Sequence, residues 1–269
     1  MEILNTDHPR APFQAAVFDF DGTLSLLRRN WQNVMIPMLV DILAETGTDE
    51  TREQLDAIVE EFVMRLNGRQ TIYQMIRLGK EVATRGGTPR EPLDYKHQYH
   101  ELLWQEVGRR VENVRTGRIP REEATVPGSR ELLTALQDRG LTFYLASGTD
   151  VHYVQDELRV LGLDEFFGPH VYGALDDYKK FSKAMIIQRI IQDAGVPGPE
   201  IVGFGDGFVE IEEIHRVGGL AVGVASNEET REGVNEWKKE RLTRAGADIV
   251  IGEYRELNVL LTELGIQGS

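Results

Sequence analysis

One short stretch constrains the fold more than any other: an apolar run that begins at Ala15 leads into Asp19 and Asp21, and Gly22 follows directly. The run has the length and apolar character of a buried parallel strand, and the glycine is a natural place to stop and turn. Side chains alternate along a strand, so both carboxylates should point to one side at its carboxyl end, where open parallel sheets bind ligands. Two adjacent carboxylates repel each other unless a cation or a shared proton intervenes, and a hard ion such as Mg2+ fits.

From Pro127 onward, the apolar pattern alternates between helices and short strands. Alternation of this kind implies right-handed crossovers and a parallel sheet with helices on both faces. We therefore expect an α/β fold with a doubly wound, Rossmann-like parallel sheet. The later strands are predicted at 141–146, 170–172, 201–204, 220–225 and 248–251, and the helices at 129–138, 151–161, 182–194, 209–217, 228–244 and 254–264.

A block of predicted helices, from about residue 26 to 118, interrupts this alternation directly after the first strand. Apolar residues in the block recur at offsets of three and four, and Pro37 inside the first such stripe predicts a kink or a break. The predicted division is a catalytic core of residues 1–24 and 119–269 with an inserted α-helical cap of residues 25–118. A cap can exclude water from a site, and a purely structural helical subdomain is the alternative.

Composition excludes several classes of protein. The net charge of −14 and the sequence pI near 5.0 argue against general nucleic-acid binding. No apolar run approaches the roughly 18 residues that a membrane span needs, and without cysteine the chain has neither disulfides nor thiolate chemistry. We expect a cytoplasmic protein. Residues 26–118 contain 14 basic and 14 acidic residues, so the remainder, with 16 and 30, carries the net charge; a balanced cap would suit an anionic substrate.

Two later segments have the residue types that bind phosphate. Ser147 and Gly148 end an apolar strand, where a hydroxyl and freed backbone N–H groups can donate to a phosphate. Lysines precede the predicted helix at 182–194, and a lysine ammonium can hold a phosphoryl oxygen. Lys183 is the preferred candidate and Lys180 the second.

A further strand ends in Gly205-Asp206-Gly207, and Glu210 opens the next helix. Asp206 and Glu210 can complete an oxygen cage with Asp19 and the Asp21 carbonyl. Asp206 is the preferred candidate ligand, because the longer side chain of Glu210 allows either direct contact with a metal ion or contact through water.

These segments together resemble the four motifs of the haloacid dehalogenase superfamily: the Asp-x-Asp-Gly-Thr-Leu sequence from Asp19, the strand end at Ser147, the lysine, and the Gly-Asp-Gly strand end. The family pattern has Asp where this chain has Glu210. The cap is similar in placement to that of phosphatases that insert it between the first and second motifs. The resemblance implies that Asp19 is a nucleophile attacking phosphorus and that Asp21 is the general acid/base.

The sequence thus predicts a Mg2+-dependent phosphatase that hydrolyses a small phosphorylated metabolite through an aspartyl-phosphate. Within the cap, Arg69 and Gln70 resemble a loop that reaches substrates in sugar phosphatases, and Arg28 beyond the first hinge is a further candidate for substrate specificity. Three alternatives stay open: a phosphomutase of the β-phosphoglucomutase type, a phosphonate hydrolase, for which no cap lysine is marked, and a non-catalytic protein that binds phosphorylated metabolites. The oligomeric state is not predicted.

Overall fold

The computed structural model describes residues 1–10, 12–174 and 182–266, and of Lys183 only the backbone. The chain divides into two compact units. The first combines Met1–Arg29 with Asn113–Ser269, and the second is Asn30–Glu112. That the second unit acts as a cap remains a prediction.

Among the described residues of the first unit, seven strands form one central sheet, in the order β1-β7-β6-β5-β2-β3-β4. All neighbouring strands are parallel except β1, which pairs with β7 in the antiparallel direction. The predicted α/β fold is confirmed, with this edge strand as an addition that the apolar pattern does not reveal. The strands are β1 (Glu2–Ile3), β2 (Ala15–Phe18), β3 (Thr142–Asp150), β4 (Val171–Ala174), β5 (Ile201–Gly205), β6 (Leu220–Val224) and β7 (Ile249–Ile251).

Strand β2 lies between β3 and β5, so the sheet covers both of its edges. All four of its residues are buried, which explains why the run is continuously apolar rather than alternating. Phe18 stacks on Phe204 of β5, with ring centroids 4.8 Å apart. The acidic segment that follows β2 therefore starts from one of the most tightly held strands of the unit.

Helices cover this sheet. Pro127 and Gly128 precede the first long one, and the order of strands requires a crossover after each parallel strand. The helices of this unit are α5 (Ser129–Gln137), α6 (Val151–Leu161), α7 (Asp164–Phe167), α8 (Lys183–Ala194), α9 (Phe208–Arg216), α10 (Glu236–Arg244) and α11 (Leu257–Glu263).

The predicted helix at 228–244 is wrong in its first half. Ser226 instead forms a bridge with Val234, Gly233 has a φ of 72°, and α10 begins only after Asn235, whose side chain caps it. The polar composition of this segment suits a turn as well as a helix, because Asn and Gly stabilise turns directly.

The second unit contains four helices among its described residues: α1 (Gln32–Ala44), α2 (Arg52–Arg65), α3 (Ile72–Thr84) and α4 (Pro92–Arg115), which extends three residues beyond the unit. Helix α1 runs through Pro37 without a break. Pro37 removes one helical hydrogen bond, but Met35, Met38 and Leu39 beside it are buried and hold the helix together. In the described part of the chain, no helix is long and apolar enough to cross a membrane.

Candidate active site

Three carboxylates meet at the carboxyl ends of two neighbouring strands. Asp19 follows β2, Asp206 follows β5, and Glu210 lies in the first turn of α9. One oxygen from each lies within 4.8 Å of the others. Asp19 is 6% and Glu210 3% exposed, so their charges are close together and largely removed from water. Such a cluster is unfavourable unless a cation or a shared proton relieves the repulsion.

The segment after β2 is a tight turn. Phe20 accepts hydrogen bonds from the N–H groups of Leu24 and Ser25, both at 2.9 Å, and Gly22 has a φ of 76°. A Cβ at Gly22 would clash with the carboxylate of Asp206. Glycine is thus required here for its backbone conformation and for the close approach of a carboxylate.

Glu210 also depends on a neighbouring glycine. Its Oε1 accepts a hydrogen bond from the N–H of Gly207 at 2.6 Å, as in a capping box. A Cβ at Gly205 would clash with the Glu210 side chain. Gly205 and Gly207 therefore leave room for the Glu210 side chain to fold back toward the end of β5. This explains how Glu fits at position 210, where the family pattern has Asp.

The carboxylate of Asp21 is not part of this cluster. Its Oδ2 accepts a hydrogen bond from Thr149 Oγ1 at 2.8 Å, and its Oδ1 lies 3.9 Å from Arg28 Nε. The two aspartates that are one residue apart in the sequence thus have different surroundings: Asp19 lies among acids, whereas Asp21 lies beside a hydroxyl and a cation.

Arg28 is held by a buried ion pair. Its Nε and Nη2 donate to Glu157 Oε1 at 3.0 and 2.5 Å, and its guanidinium lies 5.3 Å from the centre of the Tyr153 ring. Glu157 is 0% exposed. Burial raises the pKa of Glu157 to about 7, although the charge of Arg28 opposes this shift. The sequence pattern did not mark Glu157 or Thr149.

Ser147 and Gly148 lie in an irregular part of β3. Ala146 pairs with Tyr172 and Asp150 with Ala174, so a step of four residues on β3 faces a step of two on β4. Bulges of this kind re-aim side chains and occur next to active sites. Ser147 is buried, and its Oγ accepts a hydrogen bond from the N–H of Thr149 at 3.0 Å.

The remaining predicted residues lie in the second unit or outside the described residues. Lys180 and the side chain of Lys183 lie outside the described residues, although the backbone of Lys183 opens α8. Arg69 and Gln70 lie in the second unit. Arg69 lies over the Tyr73 ring at 6.0 Å, and Gln70, 2% exposed, has no hydrogen-bond partner for its amide among the described residues.

Lys238 of α10 is a residue of the site that sequence reasoning missed. Its Nζ donates to Asp206 Oδ2 at 2.8 Å and to Glu228 Oε1 at 2.7 Å. Burial alone would lower its pKa, but the charges of Asp206 and Glu228 outweigh burial and raise it. One signal was available: Lys238 lies four residues before the buried Leu242, on the same face of the helix.

Comparison with known proteins agrees with this arrangement. The sequence model of the haloacid dehalogenase-like hydrolases matches residues 13–218, which include all four motif segments. The chain belongs to this family. The predicted membership is therefore confirmed, and the chain is an enzyme, a haloacid dehalogenase-like hydrolase. No curated protein matches the chain significantly.

Solved structures of haloacid dehalogenase-like proteins have the same fold. A predicted phosphoglycolate phosphatase from Haemophilus somnus 129PT is 18% identical, with a TM-score of 0.59 over 94% of this chain and 99% of the other. A β-phosphoglucomutase from Clostridium difficile is 16% identical, with a TM-score of 0.60 over 94% and 97%. A family hydrolase from Deinococcus radiodurans R1 with bound phosphate and sodium is 20% identical, with a TM-score of 0.54 over 95% and 98%.

Proposed function

We propose that the protein is a Mg2+-dependent phosphatase that hydrolyses a small phosphorylated metabolite through a covalent aspartyl-phosphate. The observation that carries the proposal is the convergence of Asp19, Asp206 and Glu210 at the ends of β2 and β5, while Asp21, two residues after Asp19, lies in different surroundings.

Asp19 is the proposed nucleophile. A carboxylate is ionised at neutral pH and needs no base to activate it. Its oxygen forms a bond to phosphorus while the bond from phosphorus to the leaving oxygen of the substrate breaks. The backbone N–H of Asp19 donates to the Phe204 carbonyl at 2.9 Å, so the nucleophile is anchored to the neighbouring strand.

The donor set of the cluster fits Mg2+. The ion prefers carboxylate and carbonyl oxygens, and three carboxylates converge within 4.8 Å. Asp19, Asp206, the Asp21 carbonyl and Glu210, directly or through water, would hold it. When bound, Mg2+ would offset the charge of the carboxylates and of the transferred phosphoryl group. The requirement for glycine at Gly22 and Gly205, beside Asp206 and Glu210, agrees with a site shaped around these side chains.

Asp21 is the proposed general acid/base. In the first step it gives a proton to the leaving oxygen, which departs as an alcohol. In the second step it takes a proton from a water molecule, whose oxygen attacks the phosphorus of the aspartyl-phosphate and releases Asp19 as a carboxylate. The hydrogen bond from Thr149 and the nearby Arg28 hold the Asp21 carboxylate in a defined position.

Ser147, the backbone at Gly148 and Lys183 are the proposed ligands of the phosphoryl oxygens, with Lys180 as the second candidate for the lysine. Donors to these oxygens provide much of the catalysis of phosphoryl transfer. Arg69 and Gln70 remain proposed specificity residues. For Arg28, the pairing with Glu157 favours a role in orienting Asp21. A cytoplasmic location stays a prediction.

The test is an assay of p-nitrophenyl phosphate hydrolysis with and without Mg2+. Wild type should require Mg2+, and Asp19→Asn should lower kcat at least about a thousandfold while circular dichroism shows an unchanged fold. Asp138→Asn is the matched control, because Asp138 is exposed and precedes the amino end of β3, away from the strand ends that carry the site.

Retained activity in Asp19→Asn would remove Asp19 as the nucleophile. No turnover of any phosphorylated compound by wild type in Mg2+ would favour the non-catalytic binding protein. A screen of sugar phosphates, nucleotides and small phosphorylated acids then identifies the substrate, and product analysis separates hydrolysis from transfer of the phosphoryl group within a sugar phosphate.

A further inference from the structure

A cluster around Lys238 contacts the candidate metal site, although the proposed reaction does not use it. Besides Asp206 and Glu228, Lys238 Nζ lies 3.2 Å from Ser226 Oγ. An ammonium has three N–H donors, and these three acceptors use all of them. Because the side chain is buried, the ammonium is held in a single position rather than exchanging its partners for water.

The same cluster reaches the turn that follows β2. Ser226 Oγ donates to the Gly22 carbonyl at 2.6 Å, and Gly22 directly follows Asp21. A Cβ at Gly22 would clash with the Asp206 carboxylate and lie 3.0 Å from Lys238 Nζ. Lys238 and Ser226 therefore connect the two loops that supply the proposed metal ligands, one after β2 and one after β5.

The charges explain why a cation is needed here. Asp206 already lies close to Asp19 and Glu210, and Glu228 brings a further carboxylate to the same ammonium. Without Lys238, Asp206 and Glu228 would be mostly buried carboxylates that repel each other. Rotation of the Asp206 side chain would relieve this repulsion and would remove its carboxylate as a metal ligand.

We propose that Lys238 is a positioning residue for the metal ion: it holds the Asp206 carboxylate, and through Ser226 the turn at Gly22, in the arrangement that receives the ion. This inference rests on the metal site of the proposed phosphatase. The ammonium also repels a divalent cation, but two carboxylates share its single charge. Hydrogen-bonding partners of metal ligands commonly change metal affinity ten- to a hundredfold when removed, so the positioning effect should dominate.

The experiment measures metal binding by the full-length protein without substrate. Titration with MnCl2 by electron paramagnetic resonance and with MgCl2 by calorimetry gives Kd. Lys238→Met, which nearly keeps the length of the side chain but removes its charge and its donors, should raise Kd at least about tenfold. Lys239→Met is the matched control, because Lys239 is the next residue of α10 and pairs with Glu2 instead. Circular dichroism confirms that each variant is folded during the titration.

Unchanged or tighter metal binding by folded Lys238→Met would overturn the inference. If that variant does not fold, Ser226→Ala, which removes one acceptor and the bond to Gly22, should raise Kd about tenfold, and an unchanged Kd there would overturn it as well. Wild type and Asp206→Ala separate this inference from the proposed function. If wild type binds neither ion, or if Asp206→Ala binds as tightly as wild type, the proposed metal site itself is wrong.

Discussion

Two buried cations lie at the candidate site. Lys238 pairs with Asp206, a proposed metal ligand, and Arg28 lies beside Asp21, the proposed general acid/base. The two cations differ in how closely carboxylates surround them. Lys238 contacts Asp206 and is shared with Glu228, so one ammonium faces two carboxylates. Arg28 also faces two carboxylates, but unequally: its Nη2 donates to Glu157 Oε1 at 2.5 Å, whereas its Nε lies 3.9 Å from Asp21 Oδ1. The pKa of Lys238 is raised by its two partners despite burial, whereas burial raises the pKa of Glu157 to about 7.

From this difference we expect the two sides of the site to respond differently to pH: the metal side, around Lys238 and Asp206, and the proton-transfer side, around Arg28 and Asp21. The cation beside the proposed metal ligand keeps its charge and its partners across the neutral range. The partner of Arg28 gains and loses a proton near neutral pH, so the charge beside Asp21 changes there. We therefore expect the charge of Lys238 beside Asp206 to stay constant across neutral pH and the charge of Glu157 beside Arg28 to change.

The largest expected effect tests whether proton transfer and metal binding depend on different residues. Asp21→Asn removes the proposed proton donor and acceptor, and kcat should fall about 10²- to 10⁴-fold. The Mg2+ concentration for half-maximal activity should stay close to that of wild type, because the Asp21 carboxylate is outside the carboxylate cluster. Steady-state kinetics with a phosphorylated alcohol at varied Mg2+ measures both quantities, and a large change in the Mg2+ requirement would show that the two sides are not separate.

Arg28→Met tests the pairing on the proton-transfer side. It leaves Glu157 buried without its cation, which should lower the free energy of unfolding by about 3–5 kcal/mol at pH 8. Urea unfolding gives this value, and the loss should shrink toward pH 5 as Glu157 becomes protonated. The exposed Arg159 on the same helix as Glu157 provides the control variant Arg159→Met. A loss below 1 kcal/mol would show that the buried pair contributes little.

Glu157→Gln tests the pH dependence itself. The folded pKa of about 7 exceeds the ordinary value of 4.5, so between these pH values the folded state holds a proton that the unfolded state has lost. The stability that Glu157 contributes is therefore full below about pH 4.5 and is lost as pH rises through 7, by about 3 kcal/mol in total. Wild type should lose this stability relative to Glu157→Gln across that range.

Urea unfolding of both proteins at several pH values measures this difference. Glu131→Gln is the control, because Glu131 lies at an exposed position of α5. A stability difference that does not change between pH 4.5 and 7 would show that Glu157 titrates normally in the folded protein.

The smallest expected effect concerns the Thr149 hydroxyl, which donates a hydrogen bond to Asp21. Thr149→Val removes the 2.8 Å hydrogen bond to Asp21 Oδ2, which is worth about 1.5–3 kcal/mol when the acceptor is charged. We expect kcat to fall about tenfold, with KM little changed. Thr142→Val, at the exposed first residue of the same strand, controls for the substitution. Equal kcat in wild type and Thr149→Val would leave Arg28 as the group that positions Asp21.

The sequence was sufficient to predict the location of residues that directly follow a buried strand. Asp19 and Asp206 follow continuously apolar runs, and parallel neighbours bring their carboxyl ends to one edge, so their meeting could be predicted from local pattern. The extension of β3 to Asp150 could not be predicted from the sequence. Gly and Asp are unfavourable in strands, and Asp150 pairs with Ala174 of β4 only after a shift in register.

The buried ion pairs around the site could not be found in the same way. Glu157 lies between buried apolar residues of α6, and Lys238 lies on the buried face of α10. A charged residue on a buried helix face indicates that a partner exists, but Asp206 is 32 residues away from Lys238 in the chain, and Arg28 is 129 residues away from Glu157. Only the folded sheet brings them together.

Trapping of the covalent intermediate tests the central claim most directly. Wild type is mixed with Mg2+ and a substrate from the screen, quenched in acid during turnover and reduced with borohydride, which converts an acyl-phosphate into an alcohol. Peptide mass spectrometry should then find homoserine at position 19, and only when both Mg2+ and substrate are present. Homoserine at another acidic position, or none during demonstrated turnover, would contradict Asp19 as the residue that receives the phosphoryl group.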